Sequence, residues 1–283
     1  MKRATLGVLL SVAAMTLPMR ALASERWIVA NSYVAEIVVA LGAADQVVGV
    51  GGGTEHIAEL RNVPRLPGFR QTSAEPLLAL APQRVLMTDE WVVPVTIAQL
   101  RAAGVQVELL DGEQSEAGVE RRIRTVAALL GRVSAGEALV ARFRREMAES
   151  RRFVAKAVRQ PRVIFILAGG SRPTLVGGRG TNAAQLIELA GGRNVAAQIE
   201  GFRTMSQESM IEAAPEIIVT NLDGMARSGT GEPVALRAPG AALTPAGRSG
   251  RLVTVPGEFL QGMGILTPEG VRKLAIQLHP ELR

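Results

Sequence analysis

The chain has 283 residues, of which 47% are hydrophobic, 20% charged and 3% aromatic, with a formal net charge of +6. That composition suits a folded protein long enough for two lobes with separate cores. The absence of cysteine excludes disulfides, thiolate metal sites, cysteine nucleophiles and a lipid-modified cysteine. The two histidines, His56 and His279, are too few for a three-histidine metal site.

Residues 1–23 have the layout of a secretory signal peptide. Lys2 and Arg3 precede an apolar run from Leu6 to Leu17, and Ala21-Leu22-Ala23 offers a small-residue cleavage site. As a membrane anchor the run is short, interrupted by Ser11 and Thr16 and stopped by Pro18. Removing these residues takes away Lys2, Arg3 and Arg20 and no acid, leaving +3. The basic balance is therefore an arginine surplus, not a nucleic-acid surface. The mature chain is expected to begin at Ser24 and to be free in a periplasm, since a single-membrane cell would lose an untethered protein.

From Trp27 onward, strands and helices alternate. Trp27–Ala30 reads as a strand, Ala35–Leu41 as a helix stopped at Gly42, and Val47–Val50 as a second strand. A helix over Ala74–Leu80, a strand over Arg84–Met87, a helix over Thr96–Ala103 and a strand over Val105–Leu110 follow. Ser134-Ala135-Gly136-Glu137 has capping-box spacing and opens an uninterrupted helix to Val158, stopped by Pro161. Leu139, Phe143, Met147 and Val154 recur along it at roughly helical spacing among charged residues. A second alternating stretch has strands at Arg162–Leu167, Glu216–Thr220 and Leu252–Val255, with helices at Asn182–Ala190, Gln207–Ala213 and Pro268–Leu278. The expected fold is α/β, with two doubly wound-like lobes of parallel sheet over 24–133 and 160–283. One long rigid helix over 134–159 joins them, and a ligand cleft lies between the lobes.

An internal repeat links the halves. Gly68-Phe69-Arg70-Gln71-Thr72-Ser73-Ala74-Glu75 aligns without a gap with Gly201-Phe202-Arg203-Thr204-Met205-Ser206-Gln207-Glu208, and Ala81-Pro82 with Ala214-Pro215. Each copy predicts a turn, a short helix begun near Ser73 or Ser206, a proline-marked corner and a strand. Serine at the N-cap with an acid two positions later suits the helix dipole, which accounts for Glu75 and Glu208 locally. It does not account for Gly-Phe-Arg ahead of both caps. Two similar lobes facing across a cleft would each contribute an aromatic and a cation to a ligand. Their two acids would sit symmetrically on one rim, placed to dock on basic groups of a two-fold partner.

This organisation resembles the periplasmic binding proteins that feed iron-chelate, haem and cobalamin ABC importers, and within them the haem-binding branch. The likeness is carried by Arg70-Gln71-Thr72-Ser73-Ala74-Glu75, by Gly180-Thr181-Asn182-Ala183-Ala184 through Leu189-Ala190-Gly191-Gly192-Arg193-Asn194, and by Leu243-Thr244-Pro245-Ala246-Gly247-Arg248. Gly262-Met263-Gly264-Ile265-Leu266-Thr267-Pro268-Glu269 belongs to it too. The resemblance implies haem as the transported ligand, with no resident cofactor, and an ABC permease dimer as partner. It maps the permease-docking glutamates onto Glu75 and Glu208. Members of the haem branch commonly ligate iron through a tyrosine in the turn before R-x-x-S-A-E. Here that turn is Pro67-Gly68-Phe69-Arg70, and a phenyl ring cannot ligate iron.

The substitutes are few. Tyr33, the only tyrosine, and His56, after Gly51-Gly52-Gly53-Thr54-Glu55, both follow strands at their C-terminal ends, where ligands of doubly wound sheets sit. His279, beside Pro280, reads as a surface residue. Met205 and Met263 offer thioether sulfur, or simply fill apolar gaps. Arg70 and Arg203 suit the carboxylates of haem or of an anionic chelate. Phe69, Phe202 and Trp91 suit stacking on a macrocycle or packing within a lobe. A ferric siderophore and a corrinoid remain as alternative ligands. An enzyme is not expected: Gly177-Gly178-Arg179-Gly180-Thr181 lacks the P-loop pattern, and Gly169-Gly170-Ser171 is not a nucleophile elbow. The expected state is a monomer without affinity for nucleic acid.

Overall fold

The computed structural model describes residues 25–66, 73–89, 93–168, 173–222 and 233–283. The first sheet is built from β1 (Trp27–Val29), β2 (Val47–Val50), β3 (Arg84–Thr88) and β4 (Gln106–Leu110), interleaved with α1 (Ser32–Ala40), α2 (Ala74–Leu78) and α3 (Pro94–Ala102). Its strands are all parallel, in the order β2-β1-β3-β4. A central parallel strand is covered on both faces, which is why β1 is wholly apolar. Trp27 and Val29 face one cluster with Val34, Ile37, Ile123 and Phe143, whereas Ile28 faces the other with Leu77, Ile97 and Leu100.

Two helices follow. α4 (Glu116–Leu129), not anticipated from the sequence, is capped by Ser115, whose hydroxyl accepts the Gly118 N–H at 3.0 Å. α5 (Val133–Val154) has 22 residues and spans about 33 Å. It begins one residue before the expected Ser134 and ends four before Val158. The capping box does not form: Gly131, at φ 65°, turns the chain so that Arg132 takes the cap position, and Glu137 instead pairs with Arg124 at 2.8 Å. Leu139, Val140, Phe143 and Met147 of α5 belong to the first core, while Phe153 and Val154 pack against the second.

The second sheet comprises β5 (Arg162–Leu167), β6 (Leu175–Gly177), β7 (Arg193–Asn194), β8 (Phe202–Arg203), β9 (Ile217–Thr220) and β10 (Leu252–Thr254). Its helices are α6 (Asn182–Leu189), α7 (Gln207–Ala213), α8 (Pro245–Ser249) and α9 (Thr267–Leu278). The parallel path β7-β5-β9-β10 repeats the order of the first sheet. Onto β5 is added an antiparallel pair, β6 and β8, so this sheet is mixed and not purely parallel as expected. Phe202 and Arg203 consequently form an edge strand; the turn of that repeat copy is confined to Gly201, at φ 68°.

The repeat is visible in the backbone. Ser73 and Ser206 share φ −69° with ψ 167° and 160°, yet only Ser206 caps with its side chain, accepting the Ser209 N–H at 3.2 Å. His279 is fully buried, not at the surface. Gly191, at φ 82°, makes room for it: a Cβ there would lie 2.8 Å from its Nε2, which donates to the Ala190 carbonyl at 3.1 Å.

Candidate ligand site at the seam between the sheets

The C-terminal end of the first sheet carries a buried polar cluster. Asn31, just after β1, accepts the Thr88 N–H at 3.0 Å and donates to Thr88 Oγ1 at 3.1 Å and Tyr33 Oη at 3.2 Å. Tyr33 Oη also lies 3.2 Å from Thr88 Oγ1. Tyr33 is 3% exposed; the Arg122 guanidinium lies over its ring, 5.1 Å from the centroid, and the chain at Gly262 packs against its Cδ1 and Cε1. Its phenol is thus engaged within the protein and not presented to a cleft.

The segment around Met263 reaches from the second half of the chain into this cluster. Arg122, fully buried on α4, donates to the carbonyls of Asp111 at 2.8 Å, Glu113 at 2.9 Å and Met263 at 2.6 Å. Gln114 accepts the Met263 N–H at 2.6 Å through its side chain and the Gln185 amide at 2.7 Å through its carbonyl. The Met263 side chain, 4% exposed, packs in the first core. Three carbonyls accepting from one guanidinium offset part of the cost of burying its charge and tie α4 to the chain around Met263.

His56 lies on the same seam. Its Nε2 is 3.1 Å from Oε1 of the buried Glu36, whose Oε2 makes no hydrogen bond among the described residues and faces Gly264. Burial pushes the Glu36 carboxyl above the usual carboxylate range despite His56, and nearby Glu258 adds to the rise. The hydrogen bond to Glu36 lifts the His56 pKa above its ordinary value, outweighing partial burial, with Glu258 and the Gly53 backbone contributing. His56 keeps 19% of its side chain exposed.

Thus Tyr33, His56 and Met263 come together, whereas Arg203 and Met205 belong to the other sheet. Arg203 is exposed, with Nη1 on the Phe202 carbonyl at 2.9 Å. Phe202 is half-buried, edge-on to Phe165 with centroids 6.1 Å apart. Met205, 7% exposed, packs with Met210 and Ile218. Glu75 and Glu208 are both exposed in the first turns of α2 and α7. Its own backbone N–H and Ser206 hold the Glu208 carboxyl below the usual range. Phe69, Arg70 and Trp91 lie outside the described residues. Asn31, Gln114 and Arg122 escaped the sequence reading; the available signal was an arginine on the buried stripe of an amphipathic helix.

Residues 28–259 match the family of periplasmic binding proteins. The chain is 24% identical over 251 residues to the uncharacterized ABC transporter substrate-binding lipoprotein YvrC of Bacillus subtilis, covering 87% of this chain and 77% of that protein. Among solved structures, the periplasmic heme-binding protein RhuT from Roseiflexus sp. RS-1, in apo form, is 33% identical, with a TM-score of 0.85 over 92% of this chain and 100% of that one. A periplasmic heme-binding protein from Pseudomonas aeruginosa is 30% identical, with a TM-score of 0.83 over 92% and 94% of the two chains. BhuT, in complex with two hemes, is 34% identical, with a TM-score of 0.83 over 92% and 99%.

Proposed function

The chain belongs to the periplasmic binding protein family, as a substrate-binding protein of an ABC transporter with the two-lobe fold, and on that premise we propose that its substrate is haem. The observation that carries this reading is the match, at 30–34% identity over 92% of the chain, to proteins whose structures are described as heme-binding. The protein would capture haem between its lobes after export and removal of residues 1–23, and return it chemically unchanged to the permease.

Of the described ligand candidates, Arg203, His56 and Phe202 retain exposed surface. Arg203 is assigned to a haem propionate, for which a guanidinium offers a paired hydrogen bond. His56 is the better iron ligand of the two proposed, because Tyr33 spends its hydroxyl on Asn31 and Thr88. A carboxylate on one imidazole nitrogen is the usual support for a histidine that binds metal through the other. Glu36 supplies it; ligation would displace the Gly53 contact. Glu75 and Glu208 are assigned to docking on the permease dimer. A second reading, a ferric siderophore or a corrinoid, is favoured by the absence of tyrosine from residues 67–72, since both ligands bring their own metal ligation.

Titration of residues 24–283 with ferric haem, followed by Soret absorbance, tests the assignment. A saturable shifted band that moves in His56→Ala supports haem and this ligand. A band untouched by His56→Ala and Tyr33→Phe removes both from the iron. No saturation overturns haem and leaves the ferric chelate or corrinoid.

A further inference from the structure

The two glutamate-bearing helices end in the same unusual corner. Among the described residues, only two non-glycine residues adopt positive φ: Ala81 at 45° and Ala214 at 37°. They are equivalent in the repeat, and each precedes a proline, Pro82 or Pro215. An L-residue in this region crowds its Cβ against the following carbonyl, so it persists only where its surroundings hold it.

An arginine holds each one. Arg26, just before β1, donates from Nε to the Ala81 carbonyl at 3.1 Å and from Nη2 to the Leu80 carbonyl at 2.8 Å. Arg162, opening β5, donates from Nε to the Ala213 carbonyl at 3.2 Å and the Ala214 carbonyl at 3.3 Å, and from Nη2 again to Ala213. Leu80 and Ala81 correspond to Ala213 and Ala214 at the repeat offset. The backbone carbonyl of each arginine completes the clamp, accepting Gln83 N–H or Glu216 N–H at 2.8 Å. The arginines themselves stand 136 positions apart against 133 for the repeat, so they reach the same carbonyls from outside its ungapped alignment.

The corner comes soon after the end of α2, of 5 residues, and directly after α7, of 7, both too short to hold their own direction. Each has one fully buried anchor, Leu77 or Met210, and exposes its glutamate. We infer that Arg26 and Arg162 are a matched pair of positioning residues. By clamping the two corners they fix the separation of Glu75 and Glu208, and so the spacing of a two-point footprint for a two-fold symmetric partner. The inference rests on the docking role given to the glutamates above. Two-point attachment strengthens binding only when the spacing allows both contacts at once.

The absence of cysteine permits a direct test on the whole mature chain. Spin labels on Glu75→Cys and Glu208→Cys give a distance distribution by pulsed electron resonance. The expected result is one narrow distance, broadened at least about twofold by Arg26→Met or Arg162→Met, and unchanged by Arg142→Met, which cuts only an exposed ion pair with Glu146. Arg26→Lys and Arg162→Lys keep the charge but lose the planar fork. They are expected to broaden the distribution to an intermediate width if the methionine variants fail to fold. A width equal to the parent's, with a lowered Tm, would overturn the inference and leave the arginines as stabilisers. On the reconstituted importer, Arg162→Met is expected to weaken docking about fivefold with Glu208 present and to add nothing to Glu208→Gln. Losses that add in the double variant would overturn the link to Glu208. Undiminished docking of Glu75→Gln with Glu208→Gln would overturn the docking role itself, an outcome distinct from the distance measurement.

Discussion

Replacing Gly262 by alanine tests how tightly the two sheets are seated. Gly262 does not have positive φ, so alanine brings no backbone strain, only a methyl group. That methyl would lie 2.4 Å from Tyr33 Cε1 and 2.5 Å from Cδ1, whereas carbon atoms prefer about 3.5–4.0 Å. Tyr33 cannot swing away, because Asn31 and Thr88 hold its hydroxyl and Arg122 covers its ring. The chain at 262–264 must therefore lift, stretching the bonds from Arg122 and Gln114 to Met263. Overpacking of this kind costs about 1–3 kcal/mol, and weakening two seam hydrogen bonds brings the total to about 2–4 kcal/mol. At about 2–4 °C per kcal/mol for a chain of this size, Tm should fall by roughly 4–16 °C. Urea unfolding of Gly262→Ala in the parent and in Tyr33→Ala isolates the contact: the loss should nearly vanish where the ring is gone. An equal loss in both backgrounds, or none in the parent, would refute the seating described here.

Three further outcomes follow from particular contacts. Arg122→Met should cost about 2–4 kcal/mol in urea unfolding, since one buried and two part-buried carbonyls lose a charged donor, and Arg122→Lys should rescue little because it lacks the fork. Ser206→Ala should cost about 1 kcal/mol by thermal unfolding and Ser73→Ala a few tenths, because only Ser206 makes the side-chain cap. His56 and Glu36 both have raised folded pKa values, so the folded state holds more protons than the unfolded one. The His56 contribution is fully present below about pH 6.5 and lost as pH rises through its folded value. Ionising buried Glu36 removes stability as pH rises from about 4.5 through its own folded value. His56→Gln should flatten the upper fall and Glu36→Gln the lower one; parent-like slopes in both variants would count against the pair.

Much of the fold was legible because its parallel strands are short apolar runs between turns. Gln207–Ala213 was bounded correctly since Ser206 begins it and Pro215 follows shortly after. α4 was missed for a physical reason. Val119, Ile123 and Val126 keep helical spacing, but Arg122 occupies the same stripe and breaks the apolar signal. The interruption marks the buried residue that grips the Met263 carbonyl. β6 and β8 were missed because they are stabilised by pairing with each other and with β5, not by local propensity. His279 misled because a polar residue next to proline at a helix end reads as exposed, whereas its burial depends on the missing Cβ of Gly191, 88 positions away.

The same distinction governs the candidate site. Residue chemistry singled out Tyr33, His56 and Met263, but chemistry alone could not show that Tyr33 and Met263 are consumed in joining the sheets. Only spatial neighbours separate a tyrosine with a free phenol from one whose hydroxyl already has two partners. The internal repeat behaves differently, because duplication supplies a second copy as a control. Glu75 and Glu208 each admit a local explanation as first-turn acids, whereas Ala81 and Ala214 stay at positive φ only because an arginine holds each corner. Two strained corners at one offset, each held by an arginine that the ungapped repeat does not align, are the arrangement on which the inferred footprint would rest. Such a footprint would need both corners at once, because a two-point contact with a two-fold partner fails when either point moves.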